Sequence, residues 1–298
     1  MYHIPLNPKI ILIGLMLLWA SFQLQAQEKV VDRIGDRIAV INDGYYRVIG
    51  INTGEGIVVI DAHVSEEDML ECKELLSTGF GTDSFIHTLY SHGCLEHVLG
   101  FSALPETRHV AHKGIKDTRQ FFLDALPDID SLIQVNELKL SRLDSSQEEH
   151  KKVKTDLEGL HWRKKSILSY RDLQPDILFT DRLSLNFKEL TLELFFSGLG
   201  HGHSIFVHIP EEDFLFVSTL SPNQPFPFWV LKHESDFIDI EKSLITLTEL
   251  IDSTDSLDYI VPGHGPYLTH QELADIRDYY SIMYTKTHKA QLTGKTLE

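Results

Sequence analysis

The segment Ser91-His92-Gly93-Cys94-Leu95-Glu96-His97 places four metal-binding side chains, His92, Cys94, Glu96 and His97, within six residues. Imidazole, thiolate and carboxylate are the donors that zinc takes, and a loop this dense in them is a candidate metal-binding loop. Two more histidines stand in glycine-flanked turns, His201 in Gly198-Leu199-Gly200-His201-Gly202 and His264 in Pro262-Gly263-His264-Gly265. Glycine there lets backbones approach closely around a shared ion, so the three loops together would make one metal site. The chemistry of such a site is attack by a metal-polarised water on a carbonyl, with the metal steadying the oxyanion.

Each donor loop follows a segment that reads as a β-strand: Ser84 to Tyr90, Leu190 to Phe196, and Tyr259-Ile260-Val261. Upstream, Arg37 to Ile41 and Tyr45 to Ile49 flank the turn Asn42-Asp43-Gly44 as a hairpin. The apolar strand Ile57 to Ile60 ends at Asp61, and Ser65 before Glu66-Glu67-Asp68 caps a helix expected to run to about Leu76. From Lys113 to Gln174 the chain is charged and helical in period, a helical insertion in which Asp144 to Lys152 forms a solvated face or loop. Strands resume at Arg182 to Phe187, Ile205 to Ile209 and Phe214 to Val217, and Asp239 to Ile251 has the spacing of an amphipathic helix. This order gives a layered α/β fold with its polar loops gathered in a cleft at the strand ends.

A hydrophobic content of 42% in 298 residues can bury a substantial core. Forty-four acidic against 27 basic residues leave a net charge of −17, which repels a polyanion, so a nucleic-acid partner is disfavoured. The start of the chain, with Lys9, the apolar run Ile10 to Trp19 and Leu24-Gln25-Ala26, reads as a signal peptide over 1–26. That run is shorter than the roughly 20 residues that span a bilayer. The mature chain, 27–298, is therefore expected to be exported to the periplasm or the extracellular space, without a stable membrane span. Of the two cysteines, Cys72 and Cys94, the second could be a thiolate ligand, half of a disulfide or a buried thiol.

Taken together, His92-Gly93-Cys94-Leu95-Glu96-His97 after a strand, Gly198-Leu199-Gly200-His201, and Pro262-Gly263-His264-Gly265 resemble the metallo-β-lactamase superfamily, and Asp61 after Ile57-Val58-Val59-Ile60 matches as well. The resemblance runs from about Arg37 to Tyr284. It implies a four-layer αβ/βα sandwich carrying the insertion over 113–174. It also implies one ligand set of His92, Cys94 and His201 with an open position for water, and a second of Glu96, His97 and His264. Glu96 is alternatively the general base on that water. His203 could stand in for His201, and Asp61 is expected to fix the loop rather than to bind metal.

Three positions depart from the family pattern HxHxDH and its later aspartate: Cys94, Glu96, and Thr219 where the metal-bridging carboxylate would stand. Loss of the bridge implies one zinc ion rather than two, with iron another candidate. The function implied is that of an exported metal-dependent hydrolase acting on a small-molecule ester, thioester, lactone or amide. The alternative is a catalytically degenerate protein of the same fold that binds a ligand or partner in the cleft. The run Pro225-Phe226-Pro227-Phe228-Trp229 either borders that cleft or packs as a loop.

Overall fold

The computed structural model describes residues 29–44, 46–146, 148–199, 203–220, 234–253 and 257–293. The expected signal peptide, His201 and the aromatic run from Pro225 to Trp229 lie outside the described residues. The chain divides into two compact units, Lys116–Leu173 and, in two stretches, Lys29–Ile115 with the chain from Gln174 onward.

The larger unit contains two sheets. The first is ordered β1 (Val30–Ile34), β2 (Ile38–Asn42), β3 (Arg47–Asn52), β4 (Ile57–Ile60), β5 (Phe85–Tyr90), β6 (Arg108–His112), β7 (Ile177–Phe179). It is antiparallel as far as β4 and parallel from β4 to β7. The second comprises β8 (Arg182–Asn186), β9 (Thr191–Ser197), β10 (Ser204–Ile209), β11 (Phe214–Phe216) and β12 (Tyr259–Val261). Only its β11–β12 pair is parallel.

Strand periodicity explains how the sheets meet, because alternate residues point to opposite faces. Ile38 and Val40, Ile49 and Ile51, and Val58 and Ile60 join Ile205, Val207 and Ile209 with Phe214 and Phe216 in one core. The intervening residues Phe206, Leu215 and Val217 form a second core with Leu244 and Leu247 of α6 (Glu234–Ser253) and Leu273 and Ile276 of α7 (His270–Thr293). On the first sheet lies α1 (Glu66–Phe80), which buries Met69, Cys72 and Leu76. A Cβ on Gly50 of β3 would come within 2.3 Å of Leu76 Cδ2, so the missing side chain lets the helix down onto the strand. The architecture is thus mixed α/β, two sheets face to face with helices outside, as the resemblance implies.

Helix α1 starts where expected: Ser65 Oγ accepts from the Asp68 amide at 3.1 Å. It runs four residues past Leu76 because the first left-handed residue is Gly81, at φ 68°, whose amide bonds to the Ser77 carbonyl. The short α2 (Leu95–Val98) lies inside the metal-type motif. Sequence periodicity does not signal β6, since parallel strands buried on both faces lose their alternation, nor β7, an edge strand of three residues. Val110, Ala111 and His112 of β6 are all buried.

In the smaller unit, α3 (Ile115–Asp124), α4 (Leu126–Leu140) and α5 (Glu148–Tyr170) bury Phe122, Ile129, Ile133, Val153, Leu160, Ile167 and Tyr170. The segment from Asp144 is a loop only as far as the start of α5, where Glu148 and Glu149 suit the positive end of the helix dipole. Among the described residues no helix is long and apolar enough to cross a membrane.

Candidate metal centre

The parallel pairing of β4 with β5 sets Ile60 opposite Leu89, and the Asp61 amide bonds to the Leu89 carbonyl at 2.8 Å. This register carries Asp61 to the side of Ser91, at the start of the donor loop. Asp61 turns there with φ 65°, a left-handed conformation that aspartate tolerates better than most side chains. Its carboxylate, 1% exposed, accepts three hydrogen bonds. The Ser91 amide donates to Oδ1 at 2.8 Å, while Ser91 Oγ and His97 Nδ1 donate to Oδ2, each at 2.7 Å. Burial pushes its pKa up to about 7, against the pull of the two Ser91 donors and the charge of His264.

These bonds dictate the tautomers around the loop. Ser91 spends its one hydroxyl proton on Asp61, so the 3.0 Å contact between Ser91 Oγ and His92 Nδ1 requires the imidazole to donate. His97 likewise donates from Nδ1 to Asp61. In their neutral forms, both rings then carry their lone pair on Nε2, the form in which histidine binds a metal. The two rings lie 4.2 Å apart between centroids.

His264 arrives from the end of β12. Its Nε2 stands 3.2 Å from His97 Nε2, and the two rings meet edge to face at 5.1 Å. Two imidazoles on one tetrahedral zinc, with Zn–N of about 2.0–2.1 Å, hold their nitrogens about 3.3 Å apart, so this pair fits an ion. Among the described residues, no three His, Cys, Asp or Glu side chains converge as a ready metal-binding group. The pair by itself supplies two donors, and an ion held there would need further ligands.

The loop bearing His264 is held tightly. The Gly263 amide donates to the Ser218 carbonyl at 2.6 Å, and a Cβ at position 263 would stand 2.9 Å from that oxygen. Ser218, at φ 46°, keeps a buried Oγ with no hydrogen-bond partner among the described residues. The Tyr46 ring lies edge-on to both His264 (6.3 Å) and His63 (5.4 Å), with His63 Nε2 donating to Asp43 Oδ2 at 3.0 Å. The Val64 amide donates to His63 Nδ1, which fixes that tautomer. The roles of Ser91, Tyr46 and His63 are not legible in the sequence, although Ser91 sits directly before the motif.

Of the other candidates, Glu96 is half-buried in the first turn of α2. Cys94 precedes that helix and its carbonyl accepts from the His97 amide at 3.0 Å. Cys72 and Cys94 are both free, so the disulfide alternative does not hold. Burial, with the charges of Glu96 and Asp61, pushes the Cys94 thiol well above its ordinary range. The Thr219 hydroxyl lies 3.3 Å from Ser204 Oγ and 3.5 Å from the Leu199 carbonyl. His203 stacks on His112 at 5.5 Å and 19°, and His112 stacks in turn on Phe196 at 4.3 Å. Burial, then the charge of His203, lowers the His112 pKa to about 4.

No protein-family model matches the chain, and neither does any curated protein. Solved structures do. A metallo-β-lactamase from Pontibacter korlensis superposes with TM-score 0.55 at 15% identity, over 85% of this chain and 99% of that one. A Cronobacter sakazakii metallo-β-lactamase with a HARLDQ motif gives TM-score 0.58 at 12% identity, over 92% and 94%. The stereoselective inverting sec-alkylsulfatase Pisa1 from Pseudomonas sp. gives 0.59 at 14%, over 94% of this chain and 46% of that one. Identities this low speak to architecture alone, and on that ground the chain has the metallo-β-lactamase fold.

Proposed function

We propose that the chain is an exported metal-dependent hydrolase that acts on an ester, thioester, lactone or amide of a small molecule. One observation carries this: His97 and His264 face each other through Nε2 at 3.2 Å, while buried Asp61 fixes the far nitrogen of His97. A carboxylate–imidazole pair of this kind orients a metal ligand and raises its basicity. Two ligand sets could hold an ion, one of His97, His264 and Glu96 and one of His92, Cys94 and His201 with an open position for water. Zinc suits this donor set, iron is a second candidate, and one ion is favoured because Thr219 supplies no bridging carboxylate. When bound, the ion supplies a Lewis acid and an acidic water.

The chain's own groups supply the rest. Asp61 and Ser91 hold His92 and His97 in the tautomers that place the ring lone pair on Nε2. Glu96, one residue before His97, is alternatively no ligand but the general base for the attacking water. Tyr46, whose ring lies edge-on to His264, would offer an aromatic wall suited to an apolar acyl group. Export rests on the leader-like start over 1–26.

A second reading has its own support: the Thr219 hydroxyl is engaged with Ser204 and Leu199, which suits a degenerate cleft that binds without turnover. The test is a panel of ester, thioester, lactone and amide substrates assayed with zinc-loaded protein, its chelator-treated form and Glu96→Gln. Turnover that chelator abolishes and Glu96→Gln lowers by about 100-fold or more is expected. Ligand binding that survives chelation, with no turnover of any substrate class, would favour the degenerate cleft.

A further inference from the structure

Arg47, the first residue of β3, is 6% exposed, yet its guanidinium is spent on two neutral acceptors. Nη1 donates to the Pro262 carbonyl and Nη2 to the Gly265 carbonyl. Those two acceptors bracket Gly263-His264. Nε, also buried, has no hydrogen-bond partner among the described residues. The Tyr267 ring lies 5.1 Å from the guanidinium, and the Tyr267 hydroxyl donates to Asp32 Oδ2 of β1 at 3.1 Å.

A charge buried against carbonyls is a poor way to gain stability, because desolvation offsets most of what the hydrogen bonds return. Core packing at the start of a strand would be met more cheaply by an apolar side chain. The planar fork of arginine offers instead a rigid geometry that fixes two carbonyls at once, which neither lysine nor an apolar residue can do. Across the loop, the Gly263 amide is held by the Ser218 carbonyl. Arg47 on one side and Ser218 on the other thus leave the segment between positions 262 and 265 little freedom to turn.

We infer that Arg47 is a positioning residue that sets the His264 imidazole against His97 by clamping the carbonyls on either side of it. The effect on metal affinity rests on the hydrolase reading above; the clamping of the loop does not.

The test uses the full mature chain as wild type, Arg47→Lys and Arg47→Gln, with two readouts. Hydrogen–deuterium exchange of the metal-free protein is expected to quicken about tenfold or more at 262–266 in both variants, with β9 and β10 unchanged. Zinc affinity, measured by competition with a chromophoric chelator, is expected to fall about 10–100-fold. Unchanged exchange at 262–266, or exchange that rises equally through β3 and β4, overturns the inference. A wild type that binds no zinc defeats the metal reading, and the exchange data still decide the role of Arg47. Should both variants fail to fold, arginine side-chain NMR of the wild type decides. Restricted rotation with separate Nη signals for Arg47 supports the clamp, and averaged signals contradict it.

Discussion

His97 and His264 stand 167 positions apart in the chain, and their Nε2 atoms lie 3.2 Å from each other in the fold. One arrives on a four-residue helix after β5, the other on the loop after β12, so the pair depends on the relative placement of both sheets. Asp61 holds the ring of the first histidine through Nδ1, and the backbone bond from Gly263 to Ser218 ties down the loop that carries the second.

Asp61→Asn should damage metal binding more than folding. Asparagine tolerates the left-handed backbone at this position, but its amide would turn one donor toward the three that now point at the carboxylate. The expected result is a zinc affinity lower by about 10–100-fold, read by chelator competition. A smaller change in affinity than in melting temperature would show Asp61 to be mainly structural.

His112 gives the fold a pH dependence of known sign. The unfolded imidazole titrates near 6.5 and the folded one near 4, so between these values only the unfolded chain takes up the proton. Stability therefore rises with pH from 4 to 6.5 and is lost as pH falls through that window. His112→Phe keeps the ring against Phe196 and should flatten this part of the profile. Urea midpoints at pH 4 and 6.5 for both proteins would show it; parallel profiles would refute it.

Three glycines should respond differently to alanine. A Cβ at Gly100 would lie 2.0 Å from the Ala62 carbonyl and 2.5 Å from that of Ser65, backbone atoms that cannot step aside. Gly100→Ala should cost about 3 kcal/mol or more. At Gly50 the obstacle is the flexible end of Leu76, so about 1–3 kcal/mol is expected. Gly159, inside α5 with nothing within 4 Å of its Cβ position, should gain about 0.5–1 kcal/mol. Denaturant unfolding would rank them, and Gly50→Ala costing more than Gly100→Ala would contradict the packing described here.

The helix start at Ser65, the hairpin β2–β3 and the strands leading into the donor loops are legible in the sequence, because caps, turns and alternation are local signals. The architecture is legible too, through the spacing of His92, His97 and His264 relative to strand ends. The supports are not. Arg47 is one cation among 27, and nothing local says that its fork closes on Pro262 and Gly265. The tautomers of His92 and His97 follow from Ser91 sharing Asp61, a consequence of strand register rather than of residue type. Strand β6 was hidden by burial on both faces, and α7 by a charged, weakly patterned sequence.

The most direct test of the centre is the metal content of the purified mature chain by plasma mass spectrometry, after incubation with zinc and removal of loosely held ion, beside His264→Ala. About one zinc per chain in the wild type, lost in the variant, is the expected result. No retained metal in the wild type, even after incubation with zinc or iron under reducing conditions, would contradict the proposal that His97 and His264 form part of a metal site.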